Sequence, residues 1–381
     1  MNQKSVGLIT MHRVINVGSI LQAYALYLQV KKLGFNCEII DYQYPNEFHK
    51  SNRTLEKKWK IQFGLLIQRI KFFLFYDKTI QKKRFGDFLK KNLSLSSTYY
   101  KDVESIHRNP PIYDIYMTGS DQVWNPECMQ GDTTFFCSFI SNKPKVSYAS
   151  SFSISDIPNN LKLSYANALK SYKMLGVREK SGVDLIKKLT GLAAVEVCDP
   201  TLLLSKDDYA KLALSSKIRI KRPYILAYIL DYSYNPYPTI QQVVNIISKQ
   251  MNMQVYYLHA NSVDNYHYGH SITSAGPSEF LYLFLNSSFV VTSSFHGTAF
   301  ALNFEKPFYS VIPQTEQEDS RIYSLLKKVK AEDRAIKVNT KVASRLSTEM
   351  DYTNEISSLL QKYKEESRSF LYNSLIQSLQ K

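Results

Sequence analysis

One junction constrains the fold of this chain more than any other: a strand-like segment that passes directly into a helix-like one. Residues 289–292 are apolar or β-branched, the next two residues are Ser293 and Ser294, and residues 295–304 suit a helix. Serine is a favoured helix N-cap, so this pattern predicts a strand that leads straight into a helix. His296 would then lie in the first helical turn, where unpaired N–H groups and the helix dipole attract phosphate and other anions.

The same alternation of strand and helix patterns begins near residue 6. Residues 6–10 form an apolar strand pattern, residues 20–33 show helical periodicity, and residues 37–42 form the next strand pattern. Such βαβ units predict a parallel sheet. Similar patterns continue to residue 198 and start again at residue 224. We therefore expect an α/β protein with two Rossmann-like domains that face a cleft, closed by a C-terminal helix.

The composition of the segments suggests where the domains divide. We place the N-terminal domain at residues 1–204, with a basic helical insert at about 46–110. The second domain is expected at residues 205–345, followed by a C-terminal helical segment at residues 346–381. The polar, lysine-rich residues 205–222 are the best candidate for the segment that joins the domains.

Polar residues follow several of the predicted strands. Asn16 and Gly18 come after the first strand, Asp121 follows a strand at residues 113–118, and Arg178 ends a strand of its own. In open α/β sheets, ligands bind beyond the carboxyl ends of the strands. We therefore expect these residues and His296 to share one ligand site.

The composition is that of a globular protein with a sizeable core. Of the 381 residues, 44% are hydrophobic and 21% are charged. We see no signal peptide, no metal-ligand spacing and no apolar run of the ~20 residues that a membrane span needs. Together with four scattered cysteines, this leads us to expect a cytoplasmic protein without a metal. The cysteines are Cys37, Cys128, Cys137 and Cys198.

The positive charge is unevenly distributed. The formal net charge is +15, and residues 50–110 alone hold fifteen Lys or Arg and five Asp or Glu. Residues 59–76 mix these cations with large apolar groups, which leaves two interpretations open. Residues 57–85 either contact the inner face of a membrane, where anionic headgroups meet the cations, or pack on their own domain with a solvated basic face. No nucleic-acid-binding motif is recognisable, so we do not expect nucleic acid as a partner.

Six short motifs, taken together and in this order, resemble the polysaccharide pyruvyl transferase family. Each is weak by itself, but the resemblance extends from about residue 6 to about residue 334. The motifs are Asn16-Val17-Gly18-Ser19-Ile20-Leu21-Gln22-Ala23-Tyr24-Ala25-Leu26, Gly119-Ser120-Asp121-Gln122-Val123-Trp124-Asn125, Val177-Arg178-Glu179-Lys180-Ser181, Asp199-Pro200-Thr201-Leu202-Leu203, Ser294-Phe295-His296-Gly297-Thr298 and Lys306-Pro307-Phe308.

The resemblance implies a glycosyltransferase-B-like fold and a specific reaction. The enolpyruvyl carbons of phosphoenolpyruvate would be transferred to two hydroxyls of a sugar, giving a cyclic pyruvate ketal and phosphate. The same resemblance implies that Arg178, His296 and Lys306 serve this donor. Phosphoenolpyruvate is then a substrate, and no separate cofactor is expected.

The residue types suit such a reaction. The Arg178 guanidinium can bind a carboxylate or phosphate through two parallel hydrogen bonds. Lys306 and the helix N-terminus can neutralise the leaving phosphate. Protonation of the methylene carbon requires an acid that works near neutral pH, which is the usual task of a histidine such as His296.

Structural roles compete with these catalytic ones. His296 can simply cap its own helix, Arg178 can form an interdomain salt bridge, and Lys306 can be an ordinary surface lysine. Asp121 acts either as a base for the acceptor or as a brace for its loop, and Trp124 either stacks on a sugar or fills the core. Our expectation is that eight motif residues contact substrate: Asn16, Gly18, Ser120, Asp121, Trp124, Ser294, Gly297 and Thr298.

The expected function is thus pyruvyl transfer to a precursor of a bacterial surface polysaccharide such as a capsule or exopolysaccharide. The acceptor would be a sugar or a lipid-linked oligosaccharide. One alternative is a glycosyltransferase of the same fold that uses a nucleotide sugar, for which Glu279 is the only candidate to bind a ribose. The other is a non-catalytic scaffold for polysaccharide assembly, against which the presence of Arg178, His296 and Lys306 argues.

Overall fold

The computed structural model describes residues 3–43, 64–129, 131–231, 233–259, 269–314, 321–353 and 355–380. The side chains of residues 64–76 and of residue 259 lie outside this description.

The first domain contains a sheet of six parallel strands in the order β2-β1-β3-β4-β5-β6. The strands are β1 (Ser5–Ile9), β2 (Asn36–Ile39), β3 (Ile115–Asp121), β4 (Lys145–Ser150), β5 (Met174–Val177) and β6 (Val195–Glu196). The helices are α1 (Val17–Lys32), α2 (Gly64–Asn92), α3 (Val103–Arg108), α4 (Pro126–Met129), α5 (Lys162–Lys170) and α6 (Lys180–Thr190).

The second domain also contains six parallel strands, in the order β12-β11-β10-β7-β8-β9. The strands are β7 (Tyr224–Ile229), β8 (Gln254–His259), β9 (His270–Ile272), β10 (Phe289–Thr292), β11 (Phe308–Ile312) and β12 (Ala335–Lys337). The helices are α7 (Lys206–Ala213), α8 (Thr239–Met251), α9 (Pro277–Asn286), α10 (Phe295–Asn303) and α11 (Arg321–Lys328). Counted within this domain, the strand order is 3-2-1-4-5-6, that of dinucleotide-binding Rossmann sheets. The predicted fold class is confirmed.

The last helix, α12 (Glu355–Leu379), returns to the first domain and packs against β3, β4 and β5. Its Phe370 lies against Gly176 of β5 so closely that a Cβ at that glycine would be 2.5 Å from the phenylalanine ring. The hydroxyl of Ser367 accepts a hydrogen bond from the backbone N–H of Cys198 at 2.9 Å. The helix therefore covers one face of the first sheet, although the chain reaches it only after completing the second domain.

The described part of the basic insert packs on the protein itself. Phe88 of α2 meets Tyr24 of α1 edge to face, with ring centroids 5.7 Å apart. Arg84 donates a hydrogen bond to the carbonyl of Ser274 at 2.8 Å and lies 3.4 Å from the carboxylate of Glu279, both in the second domain. The packing interpretation therefore holds for this part of α2.

The remainder of the insert is not tested in this way. Residues 46–63 lie outside the described residues, so membrane contact through residues 57–85 stays a prediction. Among the described residues, no helix combines the length and the apolar surface that a membrane span requires.

The sequence patterns did not indicate several short helices and strands. The strands β9 and β12 have three residues each and lie at the two edges of the second sheet. Three residues are too few to show a reliable period. The helix α7 lies within the predicted joining segment at residues 205–222, where Ser205 and Asp208 form a capping box. The exact domain boundaries stay a prediction.

We expect Leu371→Ala in α12 to destabilise the protein by about 2–5 kcal/mol, because Leu371 is fully buried and its truncation leaves a cavity. Its neighbour Tyr372 is 47% exposed on the same helix, so Tyr372→Ala should cost less than about 1 kcal/mol. Urea denaturation of both variants measures the difference. Equal losses would show that α12 does not cover the first sheet as described.

Candidate active site

The predicted site residues lie where each sheet reverses its strand order. In the first sheet this reversal falls between β1 and β3, and in the second between β7 and β10. Such points form crevices at the carboxyl edge of the sheet, where α/β proteins bind ligands. Gly18 follows β1, Asp121 ends β3, and His296 follows β10.

Two helix N-termini, one from each domain, meet at this edge. The side chain of Asn16 caps α1 by accepting hydrogen bonds from the N–H groups of Gly18 and Ser19. The hydroxyl of Ser294 caps α10 in the same way. A Cβ built on Gly18 would lie 2.1 Å from Nδ1 of His296, so only glycine allows the two first turns to approach this closely.

Arg178 lies at the centre of a cluster that includes Asp121, Asp199 and His296, and its side chain is almost completely buried. Its Nη1 donates a hydrogen bond to Oδ2 of Asp199 at 2.9 Å, and its Nη2 lies 3.6 Å from Oδ1 of Asp121. The guanidinium also lies 5.0 Å from the ring centroid of Phe295, within cation–π range. Burial alone would lower the pKa of Arg178, but Asp199 and Asp121 raise it above its ordinary value, so the buried group is charged.

The two carboxylates are themselves held by hydroxyl groups. Oδ2 of Asp121 accepts a hydrogen bond from the hydroxyl of Ser19 at 2.6 Å, and Oδ1 of Asp199 accepts one from the backbone N–H of Thr201 at 2.9 Å and one from its hydroxyl at 2.8 Å. Burial alone would raise the pKa of both carboxyls, but the neighbouring Arg178 and His296 lower both below the ordinary value. Because Ser19 and Arg178 already engage both carboxylate oxygens of Asp121, the geometry favours Asp121 as a brace.

Several buried donors of this cluster have no acceptor. Among the described residues, Nε and Nη2 of Arg178 and Nε2 of His296 have no hydrogen-bond partner. Nε2 of His296 lies 3.6 Å from Oδ2 of Asp199, too far for a hydrogen bond. An unsatisfied buried donor costs about 1–3 kcal/mol, so such groups need an explanation. Nε and Nη2 form one edge of the guanidinium, the edge that binds a carboxylate or phosphate through two parallel hydrogen bonds.

A small cleft at Arg178 brings both domains and α12 together. Arg178 and Asp199 line it from the first domain, Arg321 from the second, and Tyr363 from α12. The guanidinium of Arg321 lies 5.8 Å from the same Phe295 ring that Arg178 contacts. Sequence reasoning missed Arg321, because it follows no recognised motif. It also missed Asp199 as a site residue, because Asp-Pro-Thr reads as an ordinary cap.

Three other residues that were predicted to contact substrate are instead packed inside the protein next to the site. A Cβ on Gly297 would lie 2.2 Å from Oγ1 of Thr292, so this glycine permits α10 to pack on β10. Thr298 is fully buried and shares a 2.7 Å hydrogen bond with Ser310. Ser120 is also fully buried within β3. Direct substrate contact by these three residues is not what the structure favours.

The sugar-stacking role expected of Trp124 is wrong. Its side chain is completely buried, stacks on Phe136 with centroids 5.3 Å apart, and donates a hydrogen bond to the carbonyl of Phe135. No face of the indole is left for a ligand. The core interpretation of this residue is the correct one.

Lys306 is not brought to the cluster either. It precedes β11, and its Nζ donates to the carbonyl of Ser287, which lies just before β10. Lys306 therefore lies at the amino edge of the second sheet, because α10 has carried the chain away from His296 at the carboxyl edge. Burial lowers the pKa of Lys306. The expected contact with the donor is not supported by this position.

The fold and the cluster together define a class of protein. Two Rossmann-like sheets that meet at their carboxyl edges, with a cationic cleft between them, form a glycosyltransferase-B-like protein. A model of the polysaccharide pyruvyl transferase family matches residues 16–314, and the chain belongs to this family. It is therefore a transferase, and the family resemblance seen in the sequence is confirmed.

Solved structures resemble the fold at low sequence identity. The S. aureus MnaA–UDP co-structure has a TM-score of 0.50 and 10% identity, and the match covers 98% of this chain and 91% of that one. UDP-GlcNAc 2-epimerase from Methanocaldococcus jannaschii, in complex with UDP-GlcNAc and UDP, has a TM-score of 0.49 and 11% identity, and the match covers 99% of this chain and 92% of that one. At such identities the likeness extends to the fold alone. A comparison with curated proteins found no match.

We expect Gly18→Ala to displace the ring of His296, since the new methyl group would occupy the space of Nδ1. Loss of one hydrogen bond to a charged ligand should raise the dissociation constant for inorganic phosphate about tenfold, measured by isothermal titration calorimetry. Gly86→Ala in α2 is the matched control, because its Cβ meets nothing within 4 Å. Unchanged phosphate affinity in Gly18→Ala would contradict the contact between the two helix N-termini.

Proposed function

We propose that this protein transfers the enolpyruvyl carbons of phosphoenolpyruvate to two hydroxyl groups of one sugar, forming a cyclic ketal and releasing phosphate. The observation that carries the proposal is that Nε and Nη2 of Arg178 and Nε2 of His296 have no hydrogen-bond partner among the described residues, although both side chains approach Oδ2 of Asp199. These donors are buried where two helix N-termini meet, a setting that favours a small anion. Membership of the pyruvyl transferase family supports the same donor.

Two cations and one aromatic ring suit the shape of this donor. Phosphoenolpyruvate carries a carboxylate and a phosphate on a three-carbon frame. Arg178 would bind one of them through its Nε–Nη2 edge. Arg321, on the other domain and near the same Phe295 ring, would take the place that the sequence had suggested for Lys306. Binding at both cations would require the two domains to be held together.

The reaction balances with one acid and two acceptor hydroxyls. His296 would donate a proton to the methylene carbon, the oxygen of the first hydroxyl would form a bond to the central carbon, and the proton of that hydroxyl would return to the neutral imidazole of His296. The bond from that carbon to the phosphate oxygen then breaks, and the second hydroxyl closes the ketal. Its proton leaves with the phosphate. Fixed dipoles at the two helix N-termini would stabilise the phosphate as it departs.

The proposed acceptor is a precursor of a bacterial surface polysaccharide, either a sugar or a lipid-linked oligosaccharide. Such an acceptor would be met in the cytoplasm at the inner face of the membrane. The basic insert supports this proposal by its charge, since residues 50–110 hold fifteen cations and five carboxylates.

Nothing in the described structure favours the nucleotide-sugar alternative. Glu279, the candidate for binding a ribose, is buried and already occupied. Its two carboxylate oxygens accept hydrogen bonds from the backbone N–H groups of Lys217 and Gly276, and it pairs with Arg84. It is a structural residue that joins α9 to its surroundings.

The donor can be tested by thermal denaturation with phosphoenolpyruvate, UDP-sugars and GDP-sugars. We expect phosphoenolpyruvate alone to stabilise the protein, by about 2.7 kcal/mol at a hundred times its dissociation constant. Arg178→Lys should abolish most of this effect, because a lysine keeps the charge but cannot form the paired hydrogen bonds. Lys306→Gln is the control and should bind phosphoenolpyruvate like the wild type.

The transfer itself can be followed with a panel of methyl hexosides that carry free hydroxyl pairs. We expect phosphate release together with an acceptor that has gained one pyruvate and lost one water, and His296→Gln should release phosphate at least about a hundredfold more slowly. Stabilisation by a nucleotide sugar but not by phosphoenolpyruvate would overturn the proposal.

A further inference from the structure

One carboxylate oxygen lies between the two residues on which the proposed reaction depends. Oδ2 of Asp199 accepts a hydrogen bond from Nη1 of Arg178 at 2.9 Å and lies 3.6 Å from Nε2 of His296. Asp199 and Arg178 belong to the first domain, whereas His296 lies in the first turn of α10 of the second. A single buried oxygen therefore links the two halves of the site across the domain interface.

The position of this carboxylate is tightly fixed. Its side chain is completely buried, and its other oxygen, Oδ1, accepts hydrogen bonds from both the N–H and the hydroxyl of Thr201. Tyr209 and Asn303 in turn donate to the carbonyl of Thr201, at 2.9 Å and 3.0 Å. Rotation of the Asp199 carboxylate would break its hydrogen bonds to Thr201. Its position relative to Arg178 and His296 is therefore fixed.

The contact with Asp199 also decides which edge of Arg178 is presented. A guanidinium has several donors, and Asp199 occupies Nη1 while leaving Nε and Nη2 without a hydrogen-bond partner among the described residues; Nη2 lies 3.6 Å from Oδ1 of Asp121. That remaining edge is the one that binds a planar anion through two parallel hydrogen bonds. Asp199 thus aims the arginine without blocking its binding edge.

We propose that Asp199 is a positioning residue that orients both Arg178 and His296 for the transfer and, through its own negative charge, weakens the binding of the anionic donor. This inference rests on the proposed function, since its readout uses phosphoenolpyruvate. It predicts two effects of opposite sign. Removing the charge should strengthen donor binding, because repulsion is lost, and should slow the transfer, because the two neighbours lose their common reference.

The test uses the full-length protein and the isosteric change Asp199→Asn. We expect the dissociation constant of phosphoenolpyruvate, measured by isothermal titration calorimetry, to fall about tenfold. Phosphate release at saturating donor, with a hexoside that supports the wild type, should fall about a hundredfold. A purely structural loss would weaken binding and turnover together, so the direction of the change in affinity separates the two.

Two further variants complete the design. Thr201→Val removes one hydroxyl donor from Asp199 without altering charge, so turnover should fall while the affinity for phosphoenolpyruvate stays the same. Asp156→Asn removes a similar charge from an exposed pair with Lys188 and should change neither quantity. If Asp199→Asn does not fold, the test rests on Thr201→Val. Slower turnover with unchanged affinity in that variant would support the positioning role, and a loss of both would indicate structural support alone.

The outcomes distinguish this inference from the proposed function. A wild-type protein that binds no phosphoenolpyruvate would overturn both. A wild type that binds and turns over phosphoenolpyruvate, with Asp199→Asn showing equal or weaker affinity, would overturn only the role of Asp199. Tighter binding combined with slower turnover in Asp199→Asn would establish it.

Discussion

The buried positive charge of Arg178 is the constraint on which the rest of the site depends. An unpaired charge in a protein interior is very costly, so the structure must supply nearby carboxylates. Asp199 and Asp121 provide them, and each is held in turn by a hydroxyl, from Thr201 and Ser19. These residues come from four separate segments, at or just after the ends of β1, β3, β5 and β6, so the fold of the sheet determines the electrostatics of the site.

Chain topology explains how residues so far apart in sequence come together. Parallel strands place every loop after a strand at the same edge, and each sheet opens a crevice where its strand order reverses. Facing these two crevices toward each other brings Gly18 into contact with His296 and creates a cleft with cations from both domains. The close approach at Gly18 means that the histidine is part of the domain interface as well as of the site.

The fold, Arg178 and His296 could be predicted from sequence because strand and helix patterns, together with ordered motifs, locate loops at a carboxyl edge. The errors have physical causes. Lys306 is only ten positions from His296 in sequence, yet the intervening helix carries it to the opposite edge of the sheet. Trp124 is an aromatic residue in a loop motif, and only tertiary packing shows that its ring is enclosed. Asp199 lies in one of the six motifs, but its role, like that of Arg321, depends on neighbours in space that the local sequence does not show.

The return of α12 to the first sheet has a consequence for biosynthesis. Domains usually fold in order as the chain emerges from the ribosome, the N-terminal one first. Here the face formed by β3, β4 and β5 is covered by the last described helix, with Leu371 and Leu375 fully buried. The N-terminal domain therefore cannot complete its core until α12 has been synthesised, and a nascent chain exposes that apolar face throughout synthesis of the second domain. If translation stalls late, the second domain would be complete while the first domain would still expose its apolar face.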